Sequence, residues 1–275
     1  MTSPFFPLFS PLFSPLFSRL LPACLLAAAM PAVQASDAQS AASGALTLTP
    51  SVAFTSQYVS RGMRQTWGRP ALQAGLDLAH AGGWSFGTWT SNVSDRYIEG
   101  GRIEWDLYGG YAGTLGALGY SLTLMHYRYP GARIEATGTR YDYTELVPGL
   151  SFKSFYVKYY RTVSRDFFGI ANARGTGYLD VGANHELGGG YTLNLHLGDG
   201  RVAGSGNAIW NWRDAKAGLT RSFDGGWSIA GAWTRAWGAT GAYDRYTTGV
   251  PRADGTLAIS NPAKGTFVVS VARTF

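Results

Sequence analysis

From Ala45 to the carboxyl end, the chain divides into about twelve short segments in which apolar and polar residues alternate with period two. Successive side chains of a strand point to opposite faces, so each segment reads as a strand with one apolar and one polar face. The segments are residues 45–59, 70–80, 84–94, 102–111, 118–128, 141–152, 155–163, 177–187, 191–198, 212–223, 227–237 and 265–275. In the fourth, Ile103, Trp105, Leu107 and Tyr111 share one face, and Arg102, Glu104, Asp106 and Tyr108 the other. In the ninth, Tyr191, Leu193, Leu195 and Leu197 oppose Thr192, Asn194 and His196. No apolar run after residue 35 approaches the 18 or so residues that a membrane-spanning helix needs.

Alternation fits a soluble sandwich as well as a membrane barrel. In the first the apolar face is the core, and in the second it faces lipid. Three features favour the barrel. The connections alternate in length. The short ones fall at 80–83, 112–117, 153–154, 188–190 and 224–226. The long ones fall at 60–69, 95–101, 129–140, 164–176, 199–211 and 238–264. Short periplasmic turns and long extracellular loops are the membrane-barrel pattern. Aromatic residues of the apolar parity also cluster beside the short turns: Trp84, Tyr111, Tyr120, Phe152, Phe155, Tyr191, Phe223 and Trp227. Amphipathic rings settle at the membrane–water boundary. Finally, the chain ends on Phe267, Val269, Val271 and Phe275 along one face, the pattern of a closing outer-membrane strand, with Arg273 a departure that can snorkel. These features predict an all-β, up-and-down antiparallel transmembrane barrel of about twelve strands. The 238–264 segment has room for one more hairpin, which would make fourteen, and ten is the lower count.

Charged residues make up only 15 % of the chain, and the mean hydropathy of −0.05 shows that the apolar content is interleaved rather than blocked. The net charge of +6 is scattered without a basic run, which argues against nucleic acid as a partner. The single cysteine, Cys24, lies in an apolar stretch after Arg19 that reads as an export signal ending at Val33-Gln34-Ala35. Residues 1–35 are therefore expected to be a signal peptide, 36–44 a disordered lead and 45–275 the barrel. A mature chain without cysteine has no disulfide, thiolate metal site or cysteine nucleophile.

Several stretches resemble a known bacterial family, the TorF family of porin-like proteins, also known as Gcw_chp. They are Phe54-Thr55-Ser56-Gln57-Tyr58-Val59-Ser60-Arg61-Gly62, Pro70-Ala71-Leu72-Gln73-Ala74-Gly75-Leu76-Asp77 and Gly87-Thr88-Trp89-Thr90-Ser91-Asn92. Glu104-Trp105-Asp106-Leu107-Tyr108-Gly109-Gly110-Tyr111 and Tyr127-Arg128-Tyr129-Pro130-Gly131 follow. They lie between residue 54 and about residue 150, a region of about a third of the chain. Gln57 stands where an acidic residue is expected. The resemblance implies an outer-membrane barrel with porin activity.

On the polar parity, the candidate lumen wall is Asp77, Arg102, Glu104, Asp106, Tyr108, Glu145, Tyr156, Lys158, Tyr160, Asp180, Asn184, Asn194, His196, Asp214 and Lys216. Such a wall filters small polar or charged solutes. The alternative is a self-neutralised interior that closes the barrel, leaving function to the loops, as in an adhesin. Tyr243, Arg245 and Tyr246 of the 238–264 loop would then be its surface. Arg61, at the outer end of the first segment, is a candidate for the entrance, and Gly62 fits a turn with positive φ. About twelve strands lie between a side-chain-filled eight-stranded barrel and a wide porin. The four histidines have no metal-ligand spacing. An outer-membrane hydrolase would need a Ser partner for His126, and no nearby Ser on a facing strand position is evident. No enzyme, cofactor or metal is therefore expected. The expected partners are outer-membrane lipid and small polar solutes, and the sequence sets no oligomeric state.

Overall fold

The computed structural model describes residues 46–275. The signal and lead expected at 1–35 and 36–44 lie outside the described residues. Twelve antiparallel strands close into a single barrel. They are β1 (Leu46–Thr55), β2 (Ala71–His80), β3 (Trp84–Asn92), β4 (Ile103–Leu115), β5 (Leu118–Arg128) and β6 (Tyr143–Phe152). They continue as β7 (Phe155–Thr162), β8 (Gly177–Gly188), β9 (Tyr191–Arg201), β10 (Trp212–Ser222), β11 (Trp227–Gly238) and β12 (Thr266–Thr274). Each strand pairs with its sequence neighbours, and β1 closes on β12 from Ser51↔Thr274 to Thr55↔Ser270. Just past the closing strand, the Phe275 N–H donates to the Pro50 carbonyl at 3.0 Å. Among the described residues no helix is long and apolar enough to cross a membrane; the strands do so instead.

Side-chain burial is inverted relative to a water-soluble protein. Phe54, Leu72, Leu107, Leu124, Leu195, Leu197, Trp233 and Val269 are exposed on the outside. Gln73, Glu104, Glu145, Asp180, Asn194, Asp214 and Thr220 are buried inside. An exterior of this kind is unfavourable in water and favourable in hydrocarbon. The eight aromatic residues beside the short turns all point outward. Trp84 meets Tyr111 edge-on at 5.2 Å, and Arg221 stacks on Tyr191 and Phe223 at 4.6 and 5.1 Å. Arg273, the odd residue of the terminal strand, lies over Trp227 at 5.3 Å and Phe275 at 4.5 Å. Its charge therefore sits in the interfacial girdle, where water and head groups solvate it. The short turns are tight; at Gly83 (φ 92°) a side chain would collide with the Ala112 carbonyl.

Three segments depart from the sequence reading. The first strand ends at Thr55 rather than 59, and the chain then turns into a small hairpin, Val59–Ser60 against Met63–Arg64. The 112–117 connection shrinks to Gly116–Ala117, because β4 continues to Leu115. The 238–264 segment forms only isolated bridges, Tyr246–Ser260 and Pro251–Leu257, so the barrel count stays at twelve.

Placing a charge on the outward face tests this assignment. Leu195→Arg is expected to destabilise the barrel by about 2–4 kcal/mol in urea titrations of vesicle-inserted protein. A neutral substitution would show that this face does not meet hydrocarbon.

Candidate functional site

The hairpin after β1 does not stand above the barrel but folds into it. Gly62 (φ 77°) lies so close to the β10–β11 wall that an added Cβ would sit 2.6 Å from the Asp214 Cβ and 2.7 Å from the Ala236 Cβ. No other residue fits there. Arg61 also takes a positive φ, 47°, a conformation costly for a side-chain-bearing residue. The strain is compensated by its contacts. Its carbonyl accepts a 3.1 Å hydrogen bond from the Trp212 indole, and its side chain reaches the β5–β8 wall. There the guanidinium donates to both Glu145 oxygens at 3.1 and 2.5 Å and to the Tyr127 hydroxyl at 3.2 Å. It lies over the rings of Tyr160 (4.5 Å) and Tyr178 (4.7 Å). One side chain thus spans the lumen. The position read as an outer entrance is an internal crossbar. The same segment supplies Tyr58, whose hydroxyl donates to Glu104 at 3.1 Å and whose ring meets Trp89 at 5.3 Å. Gln57 donates to the Thr266 hydroxyl of β12 at 2.5 Å.

The other polar-parity residues divide between two walls. On β2, β4 and β6 stand Asp77, Glu104, Asp106 and Glu145, with Tyr108 donating to Asp77 at 2.7 Å. This wall is acidic. On β7 to β10 stand Tyr156, Lys158, Tyr160, Asp180, His196, Asp214 and Lys216. His196 bridges two carboxylates, Nδ1 to Asp180 at 2.8 Å and Nε2 to Asp214 at 2.7 Å. The Tyr178 hydroxyl donates to Asp214 at 2.9 Å. With both aspartates engaged by His196, neither Lys158 nor Lys216 has an ion-pair partner within 4.0 Å among the described residues. Nearer the periplasmic end, Thr220 donates to Asn194 at 2.7 Å and Asn194 to Asn184 at 3.1 Å. Arg102 stands apart: it precedes β4 at the outer end and is exposed.

Beside the crossbar lies a cavity of about 80 Å³. Its lining includes Gln57, Gln73, Tyr156, Asp180, His196, Asp214 and Lys216. Sequence reasoning missed Gln57, Tyr58, Tyr127, Tyr178 and Trp212 as interior groups. The last three lie on the inward parity of strands already recognised, so extending the parity would have found them. Gln57 and Tyr58 carry no such signal, because they lie beyond the point where the chain leaves the sheet. No group of three or more His, Cys, Asp or Glu side chains among the described residues has a metal-binding arrangement.

An apolar exterior, a closed backbone and a polar interior crossed by one ion pair define an outer-membrane β-barrel with a narrowed lumen. The Gcw_chp family model, described as a bacterial protein of unknown function, matches residues 38–275, and the chain belongs to that family. No curated protein matches it. Among solved structures it is similar to the KdgM porin, with TM-score 0.52 and 7 % identity over 82 % of this chain and 99 % of that one. A KdgM porin in complex with disordered oligogalacturonate gives 0.49 and 8 %, over 83 % and 99 %. An anion-selective porin from Comamonas acidovorans gives 0.39 and 11 %, over 84 % and 100 %. The first of these likenesses shows the shared barrel fold.

The crossbar makes a stability prediction. The Glu145 side chain is fully buried, so Arg61→Met leaves a buried carboxylate without its partner and should cost about 3–5 kcal/mol. Adding Glu145→Gln removes the stranded charge and should recover at least half of that loss in urea titrations. Simple additivity of the two substitutions would show that the pair is not coupled.

Proposed function

We propose that the protein is a narrow channel through which small polar or charged solutes diffuse passively across the outer membrane. The observation that carries this reading is the polar cavity beside the Arg61–Glu145 crossbar, lined by Lys216 together with Asp180 and Asp214. Fixed charges of both signs at a constriction orient and filter solutes. The fold shared with a porin supports the same reading. A hydrolase is less well supported. His126 pairs with Thr144 at 3.0 Å and His185 with Ser154 at 3.2 Å. Neither imidazole has a carboxylate hydrogen-bonded to its other nitrogen among the described residues, as a serine–histidine–acid site requires.

The inward hairpin favours one competing reading, a closed barrel that acts through its loops. Single-channel recording in a planar bilayer under a salt gradient separates the two. The channel reading predicts steady, small openings in the native protein. It also predicts larger ones in Arg61→Ala, with the reversal potential moved toward cations because Glu145 loses its counter-charge. A folded, heat-modifiable barrel that stays silent in both forms would overturn the proposal in favour of the closed one.

A further inference from the structure

The last outward-facing side chain before the outer rim differs around the barrel. On β12, β1 and β2 it is apolar: Phe267, Phe54 and Leu72. On β5, β7, β9 and β10 it is Arg128, Arg161, Arg201 and Arg213, and β11 carries Arg235 one outward position below Trp237. Snorkelling accounts for a single arginine at a membrane boundary. It does not account for the density of four on the five consecutive strands β7 to β11.

The arc is organised as well as charged. Arg161 and Arg201 both lie in register with Gly177, one on each side. Neighbouring strands are separated by about 4.8 Å, so these two arginines stand about 10 Å apart across a position with no side chain. The hydroxyl end of Tyr159 lies over that gap, and among the described residues it has no hydrogen-bond partner. Alongside, Asp199 accepts from Arg201 at 2.5 Å and from Arg213 at 2.8 Å, and Arg235 lies over Trp237 at 5.3 Å. Asp199 thus pairs with two of the four guanidinium groups. The Arg201 and Arg213 side chains remain 57 % and 70 % exposed despite their pairing. Directly toward the membrane centre, the same faces of β8, β9 and β11 present Leu179, Leu197 and Trp233 to lipid.

We propose that this arc binds the phosphate groups of an anionic lipid of the outer leaflet. Guanidinium groups present planar, paired donors that match phosphate oxygens, and the Tyr159 hydroxyl adds another donor between two of them. The apolar surface directly beneath would hold the acyl chains, which selects a lipid over free phosphate. This inference is independent of whether the lumen conducts.

Native mass spectrometry of the whole protein in non-ionic detergent tests it, with bisphosphorylated lipid A and its dephosphorylated form as probes. The native protein should retain the phosphorylated lipid at least about tenfold better than the dephosphorylated one. Arg161→Gln/Arg201→Gln should weaken that binding about thirty-fold, the factor for two lost basic contacts at an anionic surface. Arg201→Gln alone should give an intermediate loss, and it decides the matter if the double variant does not fold. Arg221→Gln/Arg273→Gln, at the opposite rim, should leave binding unchanged. Equal retention of both lipids, unchanged binding in the arc variants, or displacement by inorganic phosphate alone would each overturn the proposal.

Discussion

Inside hydrocarbon there is no water to pair with a backbone N–H or carbonyl, so each must find its partner within the protein. For a chain of strands the only solution is a sheet without edges. The rest of this structure follows from that closure. The seam between β1 and β12 joins segments from opposite ends of the described chain. Pro50, which has no N–H to contribute, serves at the seam as acceptor for Phe275. Once the sheet is closed, period-two alternation divides the side chains without further choice. One parity meets lipid and the other meets only the lumen. Polar groups on the second parity must then neutralise one another or be solvated within a restricted space.

The lumen achieves this unevenly. Asp180 and Asp214 are held by His196, and Glu145 by Arg61. Asp77 and Glu104 accept hydrogen bonds from tyrosine hydroxyls. Among the described residues Lys158 and Lys216 on the opposite wall are left without ion pairs, and Lys216 lines the cavity. The wall charges are thus partly spent on holding the barrel and its inserted hairpin in shape, and partly free to act on a solute. A crossbar made of an arginine wedged among tyrosines costs less to order than a long flexible loop, because the stacked rings restrict it from both sides.

The barrel was legible in the sequence because its signal repeats. Each strand restates the alternation seen in Ile103–Glu104–Trp105–Asp106, the turns restate the short–long rhythm, and the aromatic residues mark one rim. The inward hairpin was not legible. Period two shows which face a residue takes while it remains in the sheet, but not where the chain leaves it. Tyr58 continues the apolar parity of β1 although it no longer belongs to that strand and is buried inside. The clue was Arg61-Gly62, and it was ambiguous: a positive-φ glycine serves a surface turn as readily as a close approach. Only the contact with Asp214 and Ala236 distinguishes the two. Arg273 shows the reverse case, a residue that broke the pattern yet sits in the place the pattern required, because its charge reaches the aromatic girdle.

Closure itself is open to a direct measurement. Ala53 and Ala272 are register partners across the β1–β12 seam, and both face inward. Directly opposed residues in antiparallel strands have Cα atoms about 4.5–5.5 Å apart, within the reach of a disulfide. A chain carrying Ala53→Cys and Ala272→Cys, folded into membranes and oxidised, should run as a covalently closed ring that resists heat-induced mobility change until it is reduced. Failure of the two cysteines to join in a protein that is otherwise folded and inserted would contradict the closed barrel on which the account of the lumen, the crossbar and the lipid-facing surface depends.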